Sequence, residues 1–315
     1  MIELARIQEA RDRIAGVAVR TPLLRLHVDD APAEIYLKLE NLQPINSFKI
    51  RGAASAVQAA SPADRANGLV TASAGNMAQG VAWVARSLGV PATIVVPERA
   101  PQAKLEAIER LGGRVLKRPY DDWWKVIVAG RADGIEGLFV HPVQDPGVMA
   151  GNGTIGLEIL EDLPDPDAVV IPYGGGGLAA GIASAVKALR PQTRIVTAEP
   201  EGGAAMAAAL EAGHPVQISF RPSFVDGAGS RGVLDSMWPL VRPLVDAAVA
   251  IPVAEVAAAI RTLAGRVRVI AEGAGALAPA AALSGRAGHG KVVCVVSGGN
   301  LNLSKLADIL GGAPG

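Results

Sequence analysis

Four consecutive glycines, Gly174, Gly175, Gly176 and Gly177, are the feature that most constrains what this chain can fold into. They follow the apolar run 168–173 and precede the alanine-rich segment 178–189, so a strand, a bare loop and a helix are expected in succession. Four adjacent glycines lose much conformational entropy on folding, so their presence indicates that the backbone needs a conformation or a close approach that side chains would prevent. Their N–H groups can turn onto an anion, and the N-terminus of the following helix adds a favourable field. The segment predicts a phosphate-binding loop, with a flexible turn or close helix-to-sheet packing as alternatives.

Short β-branched runs alternate with alanine-rich helical segments along the 315 residues. Such alternation is typical of a parallel α/β fold. Ligands bind beyond the carboxyl ends of strands in open α/β sheets, so the small and polar loops after three strands are expected to face one crevice. These loops are 73–76, 174–177 and 297–300. The predicted strands are 68–72, 92–96, 114–117, 168–173, 194–198 and 291–297, and 120–146 is interpreted as a break in the pattern that returns the chain from one lobe to the other.

The composition favours a small-molecule partner. Thirty basic residues balance thirty acidic ones, so no overall field favours nucleic acid or an anionic membrane surface. The single cysteine, Cys294, lies in an apolar strand pattern, which excludes an internal disulfide framework and favours a cytoplasmic location. The uncharged stretch 168–186 contains Pro172 and five glycines and is not predicted to span a membrane.

A lysine in the first sixth of the chain gives the glycine segment a chemical context. Lys49 stands in Asn46-Ser47-Phe48-Lys49-Ile50-Arg51-Gly52-Ala53. Ser47 is predicted to cap a helix that Phe48 begins, which puts Lys49 in the first turn. The helix dipole disfavours a positive charge there and so favours the neutral amine that imine formation needs. A phosphate loop with a candidate Schiff-base lysine indicates pyridoxal phosphate; a solvated surface lysine is the alternative.

Two other loops offer polar groups. Ser73-Ala74-Gly75-Asn76-Met77 supplies a hydroxyl, backbone N–H groups at a predicted helix start and a side-chain amide. Such a turn can hold a substrate carboxylate while Asn76 bonds a ring oxygen, and a simple helix cap is the alternative. The Ser297 hydroxyl is a candidate partner for a heterocyclic nitrogen, or else an ordinary turn residue.

Four segments in chain order carry a family resemblance: 47–53, 73–76, 174–178 and 297–300. They resemble the signatures of the serine/threonine dehydratase and serine racemase family, which belongs to the tryptophan-synthase-β-like, fold type II pyridoxal phosphate enzymes. The likeness runs from Thr21-Pro22-Leu23 through segment 38–44 to Ser297. It implies two lobes, each with a twisted, mostly parallel sheet flanked by helices, and an active site in the cleft between them. The expected domains are a large cofactor-binding domain of residues 1–51 and 146–315 and a small substrate-closing domain of residues 52–145.

The resemblance also implies an activity and a site. The activity is that of a pyridoxal 5'-phosphate-dependent dehydratase, or ammonia-lyase, that eliminates water from a 3-hydroxy amino acid such as L-threonine or L-serine to give a 2-oxo acid and ammonia. A β-replacement synthase of the same fold and a non-catalytic α/β ligand-binding protein are the alternatives, and a homodimer is expected. Lys49 and Ser73 are the candidate catalytic residues. The cofactor is expected at Phe48, Lys49, Asn76, Gly174, Gly175, Gly176, Gly177, Leu178 and Ser297, and the substrate at Ser73, Ala74, Gly75, Asn76 and Met77.

Three positions depart from the family pattern. Met77 stands where the family commonly has histidine, and Ala74 stands where similar serine racemases carry a second serine as acid or base. Members that bind a divalent cation have an acidic residue six positions after the residue matched by Glu199, where this chain has Ala205. The four histidines are too scattered to suggest another metal site. We therefore expect no metal and little racemisation.

Overall fold

The computed structural model describes residues 1–312, in which helices and strands alternate. The strands are β1 (Leu23–Leu26), β2 (Glu34–Lys38), β3 (Leu69–Ala72), β4 (Ala92–Pro97), β5 (Gly113–Arg118), β6 (Leu138–Phe139), β7 (Ala168–Pro172), β8 (Arg194–Pro200), β9 (Ala247–Ile251) and β10 (Lys291–Val295). The helices are α1 (Leu4–Arg13), α2 (Lys49–Ala59), α3 (Pro62–Ala66), α4 (Asn76–Leu88), α5 (Gln102–Arg110), α6 (Tyr120–Ala129), α7 (Pro146–Asp162), α8 (Gly177–Leu189), α9 (Ala205–Ala212), α10 (Trp238–Val241), α11 (Val253–Val267), α12 (Gly273–Leu283) and α13 (Leu303–Leu310).

Two separate sheets organise the chain into two lobes. The six-stranded sheet of the large lobe has the order β1-β2-β10-β7-β8-β9, with β1 antiparallel to β2 and the other pairs parallel. The four-stranded sheet of the small lobe has the order β5-β4-β3-β6 and is parallel throughout. Parallel neighbours need long crossover connections, which the helices supply. The predicted fold class, with a mostly parallel sheet in each of two lobes, is confirmed.

The predicted strands are all present, with ends that differ by one or two residues. The prediction misses β1, β2, β6 and β9. Charges at both ends of β2 weaken its apolar pattern, β6 has only two residues, and the alanines of β9 resemble a helical segment. The break in the pattern expected over 120–146 is not found, because this segment contains α6 and β6. The expected return to the other lobe is found, since β6 belongs to the small sheet and the next strand, β7, to the large one.

Glycines bring helices α2, α7 and α8 into close contact. A Cβ on Gly151 of α7 would overlap the carbonyl oxygen of Arg51 in α2. A Cβ on Gly181 of α8 would likewise overlap the carbonyl oxygen of Met149 in α7. Helix α7 therefore supports both the helix that begins at Lys49 and the helix that follows the four glycines.

A buried charge cluster, formed by Lys38, Glu40, Arg51 and Glu158, anchors α2. Arg51 donates to Glu40 Oε2 at 2.8 Å and to Glu158 Oε1 at 2.6 Å, and Lys38 Nζ donates to Glu158 Oε2 at 2.6 Å. Two positive and two negative charges balance, and each carboxylate has several donors, so their desolvation is compensated. Since Lys49 lies two residues before Arg51, the cluster fixes the first turn of α2.

The uncharged stretch 168–186 does not form one continuous helix. It folds as β7, the four glycines and most of α8. Across residues 1–312 no helix is both long and apolar enough to cross a membrane. Cys294 is buried in β10, as its apolar neighbours predict.

Candidate active site

The glycine loop, residues 174–177, joins β7 to α8 and forms one wall of a cavity. Helix α8 begins at Gly177, one residue earlier than predicted. Gly176 has a φ of +93°, which residues other than glycine rarely adopt. A Cβ on Gly175 would lie 2.5 Å from Val143 Cγ2, and one on Gly177 would lie 2.8 Å from Val143 O. Only glycines therefore allow Val143 to approach this loop.

The N–H groups of the glycine loop are available to a ligand. Within residues 1–312, the N–H groups from Gly174 to Leu178 donate to no protein acceptor. They lie at the N-terminus of α8, where the helix dipole favours negative charge. Such a row of donors is suited to a phosphate group.

Lys49 is the first residue of α2, so the helix begins one residue later than predicted. The residue at the N-cap of α2 is Phe48, whose side chain makes no capping bond and whose N–H donates to Ser297 O at 3.0 Å. The Ser47 hydroxyl accepts from the Lys49 N–H at 3.4 Å. The predicted placement of Lys49 in the first helical turn is nevertheless found.

Backbone hydrogen bonds hold the segment before Lys49 beside the loop 297–300. Besides the bond from Phe48, the Gly299 N–H donates to Asn46 O at 2.9 Å. Ser297, Lys49 and the glycine loop line one cavity of about 400 Å³, part of it open to solvent. The Ser297 hydroxyl has no partner among residues 1–312 and is available to a ligand in this cavity.

The Lys49 amine is poised as a nucleophile or base. Nζ donates to Pro142 O at 2.9 Å and lies 5.1 Å from the centre of the Phe48 ring. Burial lowers the pKa of Lys49 to about 8, with no carboxylate ion pair in the described chain to offset it. The neutral amine is therefore more accessible here than on a surface lysine.

A hydrogen-bonded network joins the two lobes beside the cavity. Asn76 Nδ2 donates to Glu272 Oε1 at 2.8 Å, and Asn76 Oδ1 accepts from Asn300 Nδ2 at 2.8 Å. Burial, with a smaller contribution from the Asp226 charge, raises the pKa of Glu272 to about 7. The sequence analysis missed Glu272, because this residue lies in none of the three loops expected to face the crevice. It also assigned no role to Asn300.

The turn after β3 begins α4 at Asn76, as predicted. Ser73 Oγ accepts from the Gly75 N–H at 3.1 Å. The Met77 side chain is 2% exposed and packs in the apolar core of the small lobe, so it does not line the cavity. Asn76 thus reaches Glu272 and Asn300 of the large lobe, but neither Asn76 nor Met77 is among the residues that line the cavity.

Glu199 lies in β8, and the N-terminus of α9 satisfies its carboxylate. This carboxylate accepts from the N–H groups of Met206 at 2.9 Å and Ala207 at 3.0 Å. Burial raises the pKa of Glu199 to about 7. In the part of the chain that the structure describes, no group of three histidine, cysteine or acidic residues could hold a metal ion. That the protein works without a metal stays a prediction.

Comparison with known proteins identifies close relatives. The family model described as pyridoxal-phosphate dependent enzyme matches residues 14–298. The L-threonine ammonia-lyase of Thermotoga maritima is 41% identical over 98% of this chain and 78% of its own length. The structure of maize serine racemase has a TM-score of 0.90 at 32% identity, covering 97% of this chain and 96% of that one. The processed threonine deaminase isoform 2 of Solanum lycopersicum has a TM-score of 0.86 at 35% identity, covering 98% of this chain and 92% of that one.

Proposed function

The chain belongs to the family of pyridoxal-phosphate dependent enzymes, and we propose that it is a dehydratase for L-threonine and related 3-hydroxy amino acids. Relatives that cover nearly the whole chain support an ammonia-lyase, which releases a 2-oxo acid and ammonia, over a non-catalytic binding protein. The observation that carries the proposal is the Lys49 amine in the same cavity as the unpaired N–H groups of the glycine loop.

The residues of the cavity fit pyridoxal phosphate. This cofactor carries a phosphate, an aldehyde, a ring oxygen and a pyridine nitrogen. The glycine loop fits the phosphate, the Lys49 amine fits the aldehyde, and the unpartnered Ser297 hydroxyl fits the pyridine nitrogen. Asn76 Nδ2 has a second hydrogen beyond the one given to Glu272 and fits the ring oxygen.

The chemistry divides between the cofactor and the protein. When bound, pyridoxal phosphate withdraws the electron pair left on the substrate Cα after its proton is removed. We propose that the Lys49 amine takes this proton, since its lowered pKa makes the neutral form accessible. Ser73 and the N-terminus of α4 are proposed to bind the substrate carboxylate, and Ser73 remains the second catalytic candidate. A neutral hydroxyl at Ser297 holds no positive charge on the pyridine nitrogen as a carboxylate would, which favours prompt loss of the Cβ hydroxyl.

We propose that residues 52–145 form a small domain that closes over a large domain of residues 1–51 and 146–315. The strands of the small sheet fall inside the first range and those of the large sheet outside it, although α2 crosses the boundary. Lys104 Nζ lies 2.6 Å from Asp226 Oδ2, and Gln144 Nε2 donates to Ser236 Oγ at 2.7 Å, so polar contacts link the lobes. Residues 313–315 of this division lie outside the described residues.

We expect L-threonine to be preferred over L-serine, and both over 3-hydroxyaspartate. The apolar side chains of Val143, Leu178 and Ala274 line the cavity, and we propose that a methyl group on Cβ packs against this apolar lining. The nearby carboxylates of Asp226 and Glu272 disfavour a second substrate carboxylate. One methyl group in such a pocket changes the discrimination by about 1–3 kcal/mol.

Measuring kcat/KM by ammonia release for L-threonine, L-serine, 3-phenylserine and 3-hydroxyaspartate tests this order. If 3-hydroxyaspartate is the best substrate, the proposed specificity is wrong. If none of these amino acids yields ammonia, the dehydratase proposal itself fails. Formation of a new amino acid on addition of a thiol would instead favour β-replacement.

Racemisation of serine is expected to be slow beside elimination. Return of a proton to the opposite face of Cα needs a positioned acid, and Ala74 carries only a methyl group. Chiral chromatography should show loss of L-serine without a matching gain of D-serine, and Ala74→Ser should gain D-serine formation. Comparable rates of the two reactions in the unmodified protein would contradict this expectation.

We also propose that the protein is a homodimer of the cytoplasm. The buried thiol of Cys294 forms no disulfide, which suits a reducing compartment. Leu42 and Ile270 are 49% and 45% exposed, and Asn41 Nδ2 bonds Ile270 O, so two exposed apolar residues lie in neighbouring segments. Light scattering after size-exclusion chromatography measures the oligomeric state.

A further inference from the structure

We propose that His141 is a positioning residue that aims the Pro142 carbonyl at the Lys49 amine and so holds the proton-accepting group in place. The inference deepens the proposed function and rests on Lys49 being the base. No motif pointed to His141, because it stands between the predicted loops and none of its sequence neighbours marks a site.

The His141 ring is fully hydrogen-bonded within the small lobe. Its Nδ1 accepts from the N–H groups of Val143 at 3.0 Å and Gln144 at 2.9 Å, so Nδ1 carries no proton. Nε2 therefore holds the ring proton and donates it to Ile127 O at 3.1 Å. Burial lowers the pKa of His141, and the charges acting on the ring are those of Asp145 and Lys49. The ring is thus held as a neutral acceptor.

The peptide bond between Pro142 and Val143 transmits this restraint to Lys49. The Pro142 C=O and the Val143 N–H belong to one planar peptide unit, so fixing the N–H at His141 Nδ1 also fixes the direction of the carbonyl. That carbonyl accepts from Lys49 Nζ at 2.9 Å. The next residue, Val143, packs against the glycine loop. The His141 side chain therefore positions both the carbonyl that contacts the Lys49 amine and the Val143 residue that contacts the glycine loop.

A restrained amine transfers protons more efficiently than a freely rotating one. A neutral amine that donates one hydrogen to a fixed carbonyl directs its lone pair elsewhere in the cavity. Misplacing a reacting group by an ångström can cost a factor of about 10². The neighbouring Asp145 shows that a shorter oxygen side chain can make the same pattern, because its Oδ1 accepts from the N–H groups two and three residues ahead, at Gly147 and Val148.

Two substitutions at residue 141 separate the acceptor from the bulk of the ring. His141→Phe keeps a buried ring but has no acceptor, and His141→Asn keeps an acceptor at the same number of bonds from Cα. We expect kcat for L-threonine to fall about 10²-fold in His141→Phe with little change in KM, and His141→Asn to recover most of it. The matched control is His214→Phe, since the ring of this exposed histidine bonds only Pro215 O within the described residues 1–312, and its kcat should equal that of the unmodified protein. Unchanged kcat in His141→Phe, or equal losses in Phe and Asn, would overturn the proposal.

Acetylation of Lys49 gives a readout that does not depend on turnover. In full-length protein resolved from its cofactor, acetic anhydride should label Lys49 faster in His141→Phe than in the unmodified protein or His141→Asn, relative to the exposed Lys117. Equal labelling of Lys49 in all three proteins would overturn the proposal, even if the protein is a dehydratase. The labelling rates can also be compared if the protein proves not to be a dehydratase. If His141→Phe does not fold, His141→Gln replaces it in both experiments. The amide oxygen of glutamine lies one bond farther from Cα than Nδ1 of histidine, so it is not expected to accept from the Val143 and Gln144 N–H groups.

Discussion

Replacing Lys49 with alanine should reduce turnover of L-threonine by several orders of magnitude and leave the protein folded. The side chain is proposed both to hold the cofactor aldehyde and to take the Cα proton, and a general base alone contributes about 10²–10⁴. Among residues 1–312 the amine has one hydrogen bond, to Pro142 O, so its loss removes little from the core. Ammonia release measures turnover, and the visible absorption of the purified protein reports whether the cofactor is bound through this lysine.

The matched control is Lys125→Ala, which removes an exposed lysine of α6 whose ion pair is with the neighbouring Asp122. Its turnover and absorption should equal those of the unmodified protein. If Lys49→Ala kept its turnover, another group would have to be the base, and the assignment of Lys49 would be wrong.

The residues that sequence analysis could find are those whose chemistry lies in one short segment. The glycine loop can be recognised in the sequence because a strand, four glycines and a helix follow one another in the chain. Lys49 and Ser297 also stand in short segments whose residues indicate their chemistry. The structure brings both residues to the cavity that the glycine loop lines.

The remaining parts of the site depend on contacts between distant residues. Asn76 and Glu272 are 196 positions apart, and no pattern around Glu272 indicates that the two side chains meet. His141 and Pro142 act through one peptide unit whose direction depends on the whole turn. Periodicity reports which face of an element is buried, but it does not report which polar groups the fold brings together.

The contacts of Arg51, which stabilise the fold, could not be predicted from the sequence either. Arginine is mostly an exposed residue, and nothing in its segment marks a guanidinium that is 1% exposed. Its partners Glu40 and Glu158 come from a short 3-10 helix (Glu40–Leu42) and from α7, which become neighbours only in the folded protein. The buried charge cluster therefore had to be seen in the structure.

Replacing Arg51 with methionine should lower the free energy of unfolding by about 3–5 kcal/mol, because two buried carboxylates lose the cation they share. Arg51 contacts both Glu40 and Glu158, whereas of these two carboxylates Lys38 contacts Glu158 alone, so Glu40 is left without a charged partner. Methionine keeps much of the volume of the side chain, which limits the contribution of an empty cavity to the effect. Urea unfolding followed by circular dichroism measures the change.

An exposed ion pair on the same protein provides the comparison. Arg286 bonds Glu255 through both of its terminal nitrogens, and the two side chains are 38% and 36% exposed. Arg286→Met should lower the free energy of unfolding by less than about 1 kcal/mol, because water solvates the carboxylate that remains. If the two substitutions cost the same, burial would not be what makes Arg51 important. A large loss confined to Arg51→Met would instead show that the first turn of α2, and with it Lys49, rests on this cluster.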